Sequence, residues 1–183
     1  MRTGNKKIWW AVLALVIVLA GVGGWMLRSG GPINAASSEP VPVGTPTIVS
    51  ASELEDLAGQ HYPLYWAGEQ PDTQIEVTVT RKNAIFVRYL PSGVAAGDPG
   101  QYLTVATYYA INGYDALRGT PKEKADVTEA EDGAMIAVFR DRALSTYFSF
   151  KNAGFQTEVF SPMIGQSKQL TENGTIKIAG GDS

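Results

Sequence analysis

An unbroken run of 20 uncharged residues, from Ile8 to Leu27, constrains this chain more than any other feature of its sequence. As a helix, such a run extends about 30 Å, which matches the hydrocarbon thickness of a bilayer. Trp9 and Trp10 lie at one end of the run and Trp25 lies near the other, where indole rings favour the membrane interface. The sequence therefore predicts one transmembrane helix over residues 8–27, which anchors the chain in a lipid bilayer.

Basic residues determine the predicted orientation of this helix. Arg2, Lys6 and Lys7 precede the run, Arg28 alone follows it, and the next basic residue is Arg81. Because the flank richer in Lys and Arg stays inside the cell, we predict a single-pass protein of the cell membrane. Its cytoplasmic tail is residues 1–7, and its C-terminal body lies outside the cytoplasm.

A cleaved signal peptide is the alternative interpretation of the same run. The apolar core of a signal peptide usually has about 7–15 residues and is followed by a small-residue cleavage site. Here the apolar run continues to Leu27, and the bulky Trp25 and Met26 stand where small residues would be needed. A retained anchor fits this pattern better than a cleaved leader.

Prolines, glycines and serines crowd the segment that follows the anchor, and no helical or strand period runs through it. We therefore predict a flexible stalk over residues 28–50 and an extracytoplasmic domain over residues 51–183. The chain has a formal charge of −3, and residues 1–28 hold four basic residues and no acid, so residues 29–183 carry −7. An acidic body of this kind argues against nucleic acid as a partner.

The domain has a mixed pattern of strands and short helices. Ser52 and Glu55 have capping-box spacing at the start of a helix, Ser161-Pro162 is typical of another helix start, and a weak helical region covers 112–126. Apolar alternation or β-branched and aromatic residues predict strands at 75–79, 85–90, 102–110, 135–139, 146–150, 155–160 and 175–179. The first two strands are close enough to form a hairpin across Lys82-Asn83. The predicted fold class is α+β, a mainly antiparallel β-sheet with a few short helices.

Four short motifs resemble those of a group of actinobacterial single-pass membrane proteins whose activity is uncharacterised. They are Tyr65-Trp66-Ala67-Gly68, Phe86-Val87-Arg88-Tyr89-Leu90-Pro91, Gly97-Asp98 and Leu103-Thr104-Val105. The members of that group share a basic tail, one membrane span, a proline-rich stalk and an exported domain. Where they have a small residue followed by Thr-Tyr-Pro, this chain has Ala106-Thr107-Tyr108-Tyr109. The resemblance covers residues 62–110 and implies the topology, without implying an activity.

Three neighbouring aromatic residues, Tyr62, Tyr65 and Trp66, are candidate ligand-facing side chains, since aromatic rings stack on sugars and peptides. Packing in the core is the commoner role of aromatic residues in a β-rich domain, and it is the alternative interpretation.

Catalytic and metal-binding signatures are weak. The single histidine, His61, stands at a predicted helix exit without a serine in a nucleophile-elbow context. The acidic group Asp126, Glu129, Glu131 and Asp132 lacks the alternation and the central glycine of an EF-hand, so a solvated loop is favoured over a calcium site. There is no cysteine, which excludes disulfides and thiolate chemistry. We predict no catalytic residues, no metal and no cofactor.

Two hypotheses for function follow from these features. The first is a non-enzymatic binding or interaction module of the cell envelope, whose partner is an envelope protein or a glycan. The alternative is a membrane-anchored hydrolase that acts on an envelope substrate through carboxylates. The hydrolase would need a concave site with two convergent acids and a raised pKa on one of them.

Overall fold

In the described part of the chain, strands contribute more residues than helices. This computed structural model describes residues 41–61 and 63–181, so the predicted tail, the predicted membrane helix and most of the predicted stalk lie outside it. In chain order its elements are β1 (Thr47–Val49), α1 (Ala51–Gln60), β2 (Tyr65–Trp66), β3 (Thr73–Val79), β4 (Ala84–Pro91), β5 (Thr104–Tyr109), α2 (Gly113–Arg118), β6 (Ala125–Glu129), β7 (Met135–Phe139), β8 (Ser145–Ser149), β9 (Phe155–Phe160), α3 (Gln166–Glu172) and β10 (Lys177–Ile178). No helix within these described ranges combines the length and the hydrophobicity of a membrane span.

Eight of the strands form one sheet in the order β1-β3-β4-β5-β9-β8-β7-β6, and every neighbouring pair in it is antiparallel. Two meanders, β3-β4-β5 and β6-β7-β8-β9, meet where β5 pairs with β9. The short strands β2 and β10 pair separately, also antiparallel. The prediction of a mainly antiparallel sheet with a few short helices is confirmed.

The two faces of the sheet are covered differently. One face carries Val77, Val87, Val105 and Val159, which form a single apolar core with Leu54 and Leu57 of α1 and with residues of β2. We call this the α1 face. The opposite face, the α2 face, is covered at one flank by α2, whose buried residues pack on β7 and β8 in a second, smaller core: Tyr114, Leu117, Met135, Ala137 and Tyr147.

The sheet begins upstream of the predicted domain boundary at residue 51. Thr47, Ile48 and Val49 of β1 pair with β3, and the Gly44 N–H donates to the Val79 carbonyl at 2.7 Å. These residues belong to the segment predicted as stalk. Two of the three β1 residues are β-branched aliphatic, which suits a strand, but the strand is too short to show an alternation.

Three local predictions differ from the structure. The helix cap is Ser50 with Glu53, two residues before the predicted Ser52–Glu55 box. The region predicted as weakly helical, 112–126, is helical only in α2, and its last two residues belong to β6. The third helix begins at Gln166, because residues 161–165 form a turn that ends at Gly165, whose φ is 81°.

Candidate functional site

Two of the three candidate ligand-facing aromatics lie in the core. Tyr65 and Trp66 are 7% and 6% exposed, and the Tyr65 ring contacts Phe148 edge-on with centroids 5.0 Å apart. The indole Nε1 of Trp66 is a buried donor that has no hydrogen-bond partner in the described part of the chain. These two rings therefore stabilise the fold. Tyr62 lies outside the described residues.

His61 lines a shallow depression of about 170 Å³ at the exit of α1, together with Asn83 and Tyr109. The Tyr109 hydroxyl donates to the backbone carbonyls of His61 and Pro63 at 2.8 and 2.9 Å. Burial raises the pKa of Tyr109, so this hydroxyl remains a donor at neutral pH. It therefore holds the backbone at His61 rather than the imidazole. Among the described residues, no carboxylate lines the depression.

The acidic group considered for calcium does not converge. Asp126 pairs with Arg140 at 2.7 Å, Glu129 accepts from the Tyr114 hydroxyl at 3.2 Å, and Asp132 accepts from the Ala134 N–H at 3.0 Å. Within residues 41–61 and 63–181, no three His, Asp or Glu side chains gather as a metal-binding group.

Three hydroxyl groups converge on Glu158, on the α2 face of the sheet. Tyr108 donates to one carboxylate oxygen at 2.8 Å, and Ser145 and Tyr147 donate to the other, each also at 2.8 Å. Burial and the Glu158 charge raise the pKa of Tyr108 and raise the pKa of Tyr147 to about 12. Both carboxylate oxygens are thus engaged by donors that stay protonated at neutral pH. Such a network fixes the pairing of β5, β8 and β9.

A second carboxylate, Glu76, is completely buried on the same face. Nη1 of Arg88 donates to one of its oxygens at 2.6 Å, and the Gly97 N–H donates to the other at 2.5 Å. Nη2 of Arg88 reaches the carbonyls of Asp98 and Gly100 at 2.8 and 3.0 Å. The ion pair therefore holds the loop that follows β4 against the α2 face of the sheet.

These contacts bear on the carboxylate-hydrolase hypothesis. The Tyr102 hydroxyl and the Gly100 N–H hold the pKa of Asp98 below its usual range, opposite to the raised pKa that a general acid needs. The depression at His61 has no carboxylate among its described lining residues, and a second depression of about 190 Å³, beside β1, has Glu69 as the single carboxylate in its described lining. Neither brings two acids together.

Among the described residues, the most exposed large apolar side chains belong to the turn between β9 and α3. Met163 is 63% exposed and Ile164 is 87% exposed. The Ser161 hydroxyl accepts from the Met163 N–H at 3.0 Å and donates to the Gln166 side chain, and the Gln166 N–H returns to the Met163 carbonyl at 3.2 Å. The turn is therefore braced from both sides while its two apolar side chains face water. We call Met163 and Ile164 the apolar tip.

The apolar tip is absent from the candidate residues that the sequence suggests. Ser161-Pro162 has the pattern of a helix start, which would place Met163 and Ile164 in a first helical turn. The available signal was the pair of large apolar residues between Pro162 and Gly165, because proline and glycine mark turns.

In comparisons with known proteins, no family model, no curated protein and no solved structure matches this chain.

Proposed function

We propose that this chain is a single-pass protein of the cell membrane whose domain outside the cytoplasm binds a protein partner of the cell envelope and transforms no substrate. The membrane part of the proposal rests on the apolar run at residues 8–27 and on the basic residues before it.

The observation that carries the binding role is the apolar tip. Exposed apolar residues that occur singly are normal on protein surfaces, whereas contiguous apolar patches mark interaction sites. Met163 and Ile164 adjoin, and three hydrogen bonds brace the turn that presents them. An aliphatic tip suits a pocket on a protein, because sugars stack on aromatic faces and hydrogen-bond to polar groups.

The surroundings of two carboxylates favour the binding role over the hydrolase alternative. The carboxylates of Glu76 and Glu158 are both engaged by donors from within the domain. Each therefore has a structural role in holding strands or loops together.

Photocrosslinking in living cells tests the proposal. A photoreactive amino acid at position 164 should yield a discrete crosslinked species, and the same amino acid at Glu131, which is exposed at the opposite end of the sheet, should yield none. Equal labelling from both positions would show that the tip is not a binding surface.

The orientation is tested separately by protease added to intact cells stripped of their wall. We expect the protease to remove the domain and leave a short fragment that contains residues 8–27. Protection of the domain until the membrane is permeabilised would contradict the proposed topology.

A further inference from the structure

The sequence contains two asparagine–glycine pairs, Asn112-Gly113 and Asn173-Gly174. Asparagine is a chemically labile residue, and it loses its side-chain amide most readily before glycine, because glycine has no side chain to hinder the approach of its own nitrogen to the asparagine side chain. The reaction also needs space in which the backbone can rotate. The structure leaves that space at one pair and not at the other.

The pair Asn112-Gly113 is held in place at the start of α2. The Asn112 side chain accepts from the Asp115 N–H at 3.4 Å and donates to the Asp115 carboxylate at 2.8 Å. Gly113 is buried, and a Cβ atom added there would lie 2.8 Å from the Phe155 carbonyl oxygen and 2.8 Å from Cβ of Gln156. The backbone at this pair therefore has no space in which to rotate while the domain stays folded.

The pair Asn173-Gly174 lies in the turn between α3 and β10 and is open. Both residues are exposed, and Gly174 has a φ of 76°. A Cβ atom added at Gly174 would meet no atom within 4 Å other than those of its chain neighbours. The Asn173 side-chain oxygen accepts from the Thr175 N–H at 3.0 Å, which polarises the side-chain carbonyl group. The backbone at this pair is therefore open to water and sterically unobstructed at Gly174.

We propose that Asn173 is a site of spontaneous covalent modification. The Gly174 nitrogen loses its proton to hydroxide and attacks the side-chain carbonyl carbon of Asn173. A new C–N bond forms, the bond to the side-chain nitrogen breaks, and that nitrogen takes a proton from water and leaves as ammonia. The product is a five-membered succinimide ring. Water then adds to either ring carbonyl and opens the ring, which gives aspartate or isoaspartate. One water is consumed for each ammonia released, and nothing is oxidised or reduced.

An isoaspartate at position 173 changes the connection between α3 and β10. The main chain then passes through the former side-chain carbon atoms and gains one carbon atom. The new carboxylate follows Glu172 at the C-terminal end of α3, where the helix dipole disfavours negative charge. Ile176 and Ile178 pack against the main core, and β10 pairs with β2. The modification therefore weakens the attachment of β10. It does not depend on the proposed binding role of the apolar tip.

Ageing of the purified full-length protein at mildly alkaline pH, followed by trypsin digestion and mass spectrometry, tests the proposal. Trypsin cleaves after Lys and Arg, so the two pairs fall on separate peptides, residues 89–118 and residues 169–177. We expect peptide 169–177 to give two products of equal mass, one with aspartate and one with isoaspartate, both labelled when ageing is done in oxygen-18 water. Asn173 should convert at least about tenfold faster than Asn112, which can react only in molecules that have opened locally.

Two controls separate the effect of the fold from that of the local sequence. In concentrated guanidinium chloride both peptides should convert at similar rates, because neither pair is then held by the fold. Asn173→Gln should leave peptide 169–177 unmodified, since its longer side chain would have to close a six-membered ring. No conversion of Asn173, or equal conversion at both pairs in the folded protein, would overturn the proposal. Aspartate without isoaspartate would overturn the succinimide route.

Thermal denaturation measures the consequence for β10. The aged natural chain should unfold at a lower temperature than equally aged Asn173→Gln, whereas fresh samples of the two should unfold at similar temperatures. Equal transition temperatures after complete conversion of Asn173 would show that the modification does not weaken the attachment of β10.

Discussion

Glu76 holds two parts of the domain together, because its carboxylate accepts from Arg88 on the neighbouring strand and from Gly97 in the loop after β4. Glu76→Ala leaves the Arg88 side chain, which is 17% exposed, without its carboxylate partner. Breaking a buried pair in this way costs about 3–5 kcal/mol. We therefore expect the free energy of unfolding, measured by urea denaturation, to fall by about 3 kcal/mol.

Glu55→Ala is the matched control for this substitution, because Glu55 is exposed on α1. It should change the free energy of unfolding by less than about 0.5 kcal/mol. A loss of the same size from both variants would mean that the Glu76–Arg88 pair contributes nothing specific.

The raised pKa of Tyr147 predicts the pH range over which the domain loses stability in alkali. Burial and the Glu158 charge raise its pKa from 10.0 to about 12. A tyrosine with a raised pKa in the folded state stabilises folding fully below its ordinary pKa, and this contribution is lost as the pH rises through the folded value. Stability should therefore fall between pH 10 and about 12, and the fall should be shallower in Tyr147→Phe, which has no proton to lose.

Urea denaturation at a series of pH values measures this difference. Glu158→Gln removes the neighbouring charge and should bring the tyrosinate titration to lower pH than in the natural chain. Identical slopes for the natural chain and Tyr147→Phe would rule out the assigned pKa of Tyr147.

The burial of Glu76 could not be predicted from the sequence. Alternation along β3 correctly separates Glu76 from Ile75 and Val77. Whether its face is open to water depends on a loop some twenty residues further on, which Arg88 draws across the strand. Periodicity reports the face that a side chain occupies, but it contains no information about what later covers that face.

The N-terminal cap of α1 can be tested by substituting Ser50 and Ser52 separately. The Ser50 hydroxyl accepts from the Glu53 N–H, and the Glu53 carboxylate accepts from the Ser50 N–H. These two bonds are made by Ser50 alone, although Ser52 has the same side chain. We expect Ser50→Ala to lower stability by about 1 kcal/mol and Ser52→Ala to change it by a few tenths.

Thermal denaturation followed by circular dichroism measures both variants. The Ser50 backbone and hydroxyl contacts also hold the pKa of Glu53 below its ordinary value. A group with a lowered folded pKa stabilises folding above its unfolded pKa, and this contribution is lost as the pH falls through the folded pKa. The pKa of Glu53 should rise toward its ordinary value in Ser50→Ala. A larger loss of stability from Ser52→Ala than from Ser50→Ala would contradict the observed cap.

Elements with strong local signals were predictable and those without were not. The hairpin of β3 and β4 follows from two alternating runs joined by a short turn, and their pairing confirms it. The strand β6 has acids at Asp126 and Glu129 because it is an edge strand with solvent on one side. Its sequence therefore resembles a solvated loop. Edge strands tolerate charge, which removes the apolar signal by which a strand is recognised.

Because β1 forms one edge of the sheet, a stably folded fragment of this chain should include it. Residues 41–50 contribute β1, and Val41 packs against the main core. We expect a fragment of residues 41–183 to give a strand-dominated circular dichroism spectrum and one cooperative thermal transition. The transition should be unaffected by reductant, since the chain has no cysteine.

The matched fragment 51–183 lacks β1 and leaves the outer edge of β3 unpaired. It should unfold at a lower temperature than 41–183 and aggregate more readily, because an open apolar edge is a template for other strands. Equal transition temperatures would mean that β1 adds nothing to the stability of the domain.

The order of strands in the sheet is beyond the reach of the local sequence pattern. Val105 of β5 pairs with Val159 of β9, more than fifty residues away, and this one pairing unites the two meanders. Both strands are apolar on one side, as are several others. Local patterns give the number and type of the elements, whereas shape and burial across the whole domain select which strands become neighbours.

The pairing of β2 with β10 has a consequence for how the domain is made. Tyr65 and Trp66 leave the ribosome about 110 residues before Lys177 and Ile178, with which they pair. Until Lys177 and Ile178 emerge, β2 lacks the strand with which it pairs in the folded domain. A nascent or truncated chain that stops short of residue 177 therefore lacks the β2–β10 pairing beside its main core. Chaperones and proteases act on incompletely folded chains, so we expect the chain to become less susceptible to them once residues 177–178 have been made and paired with β2.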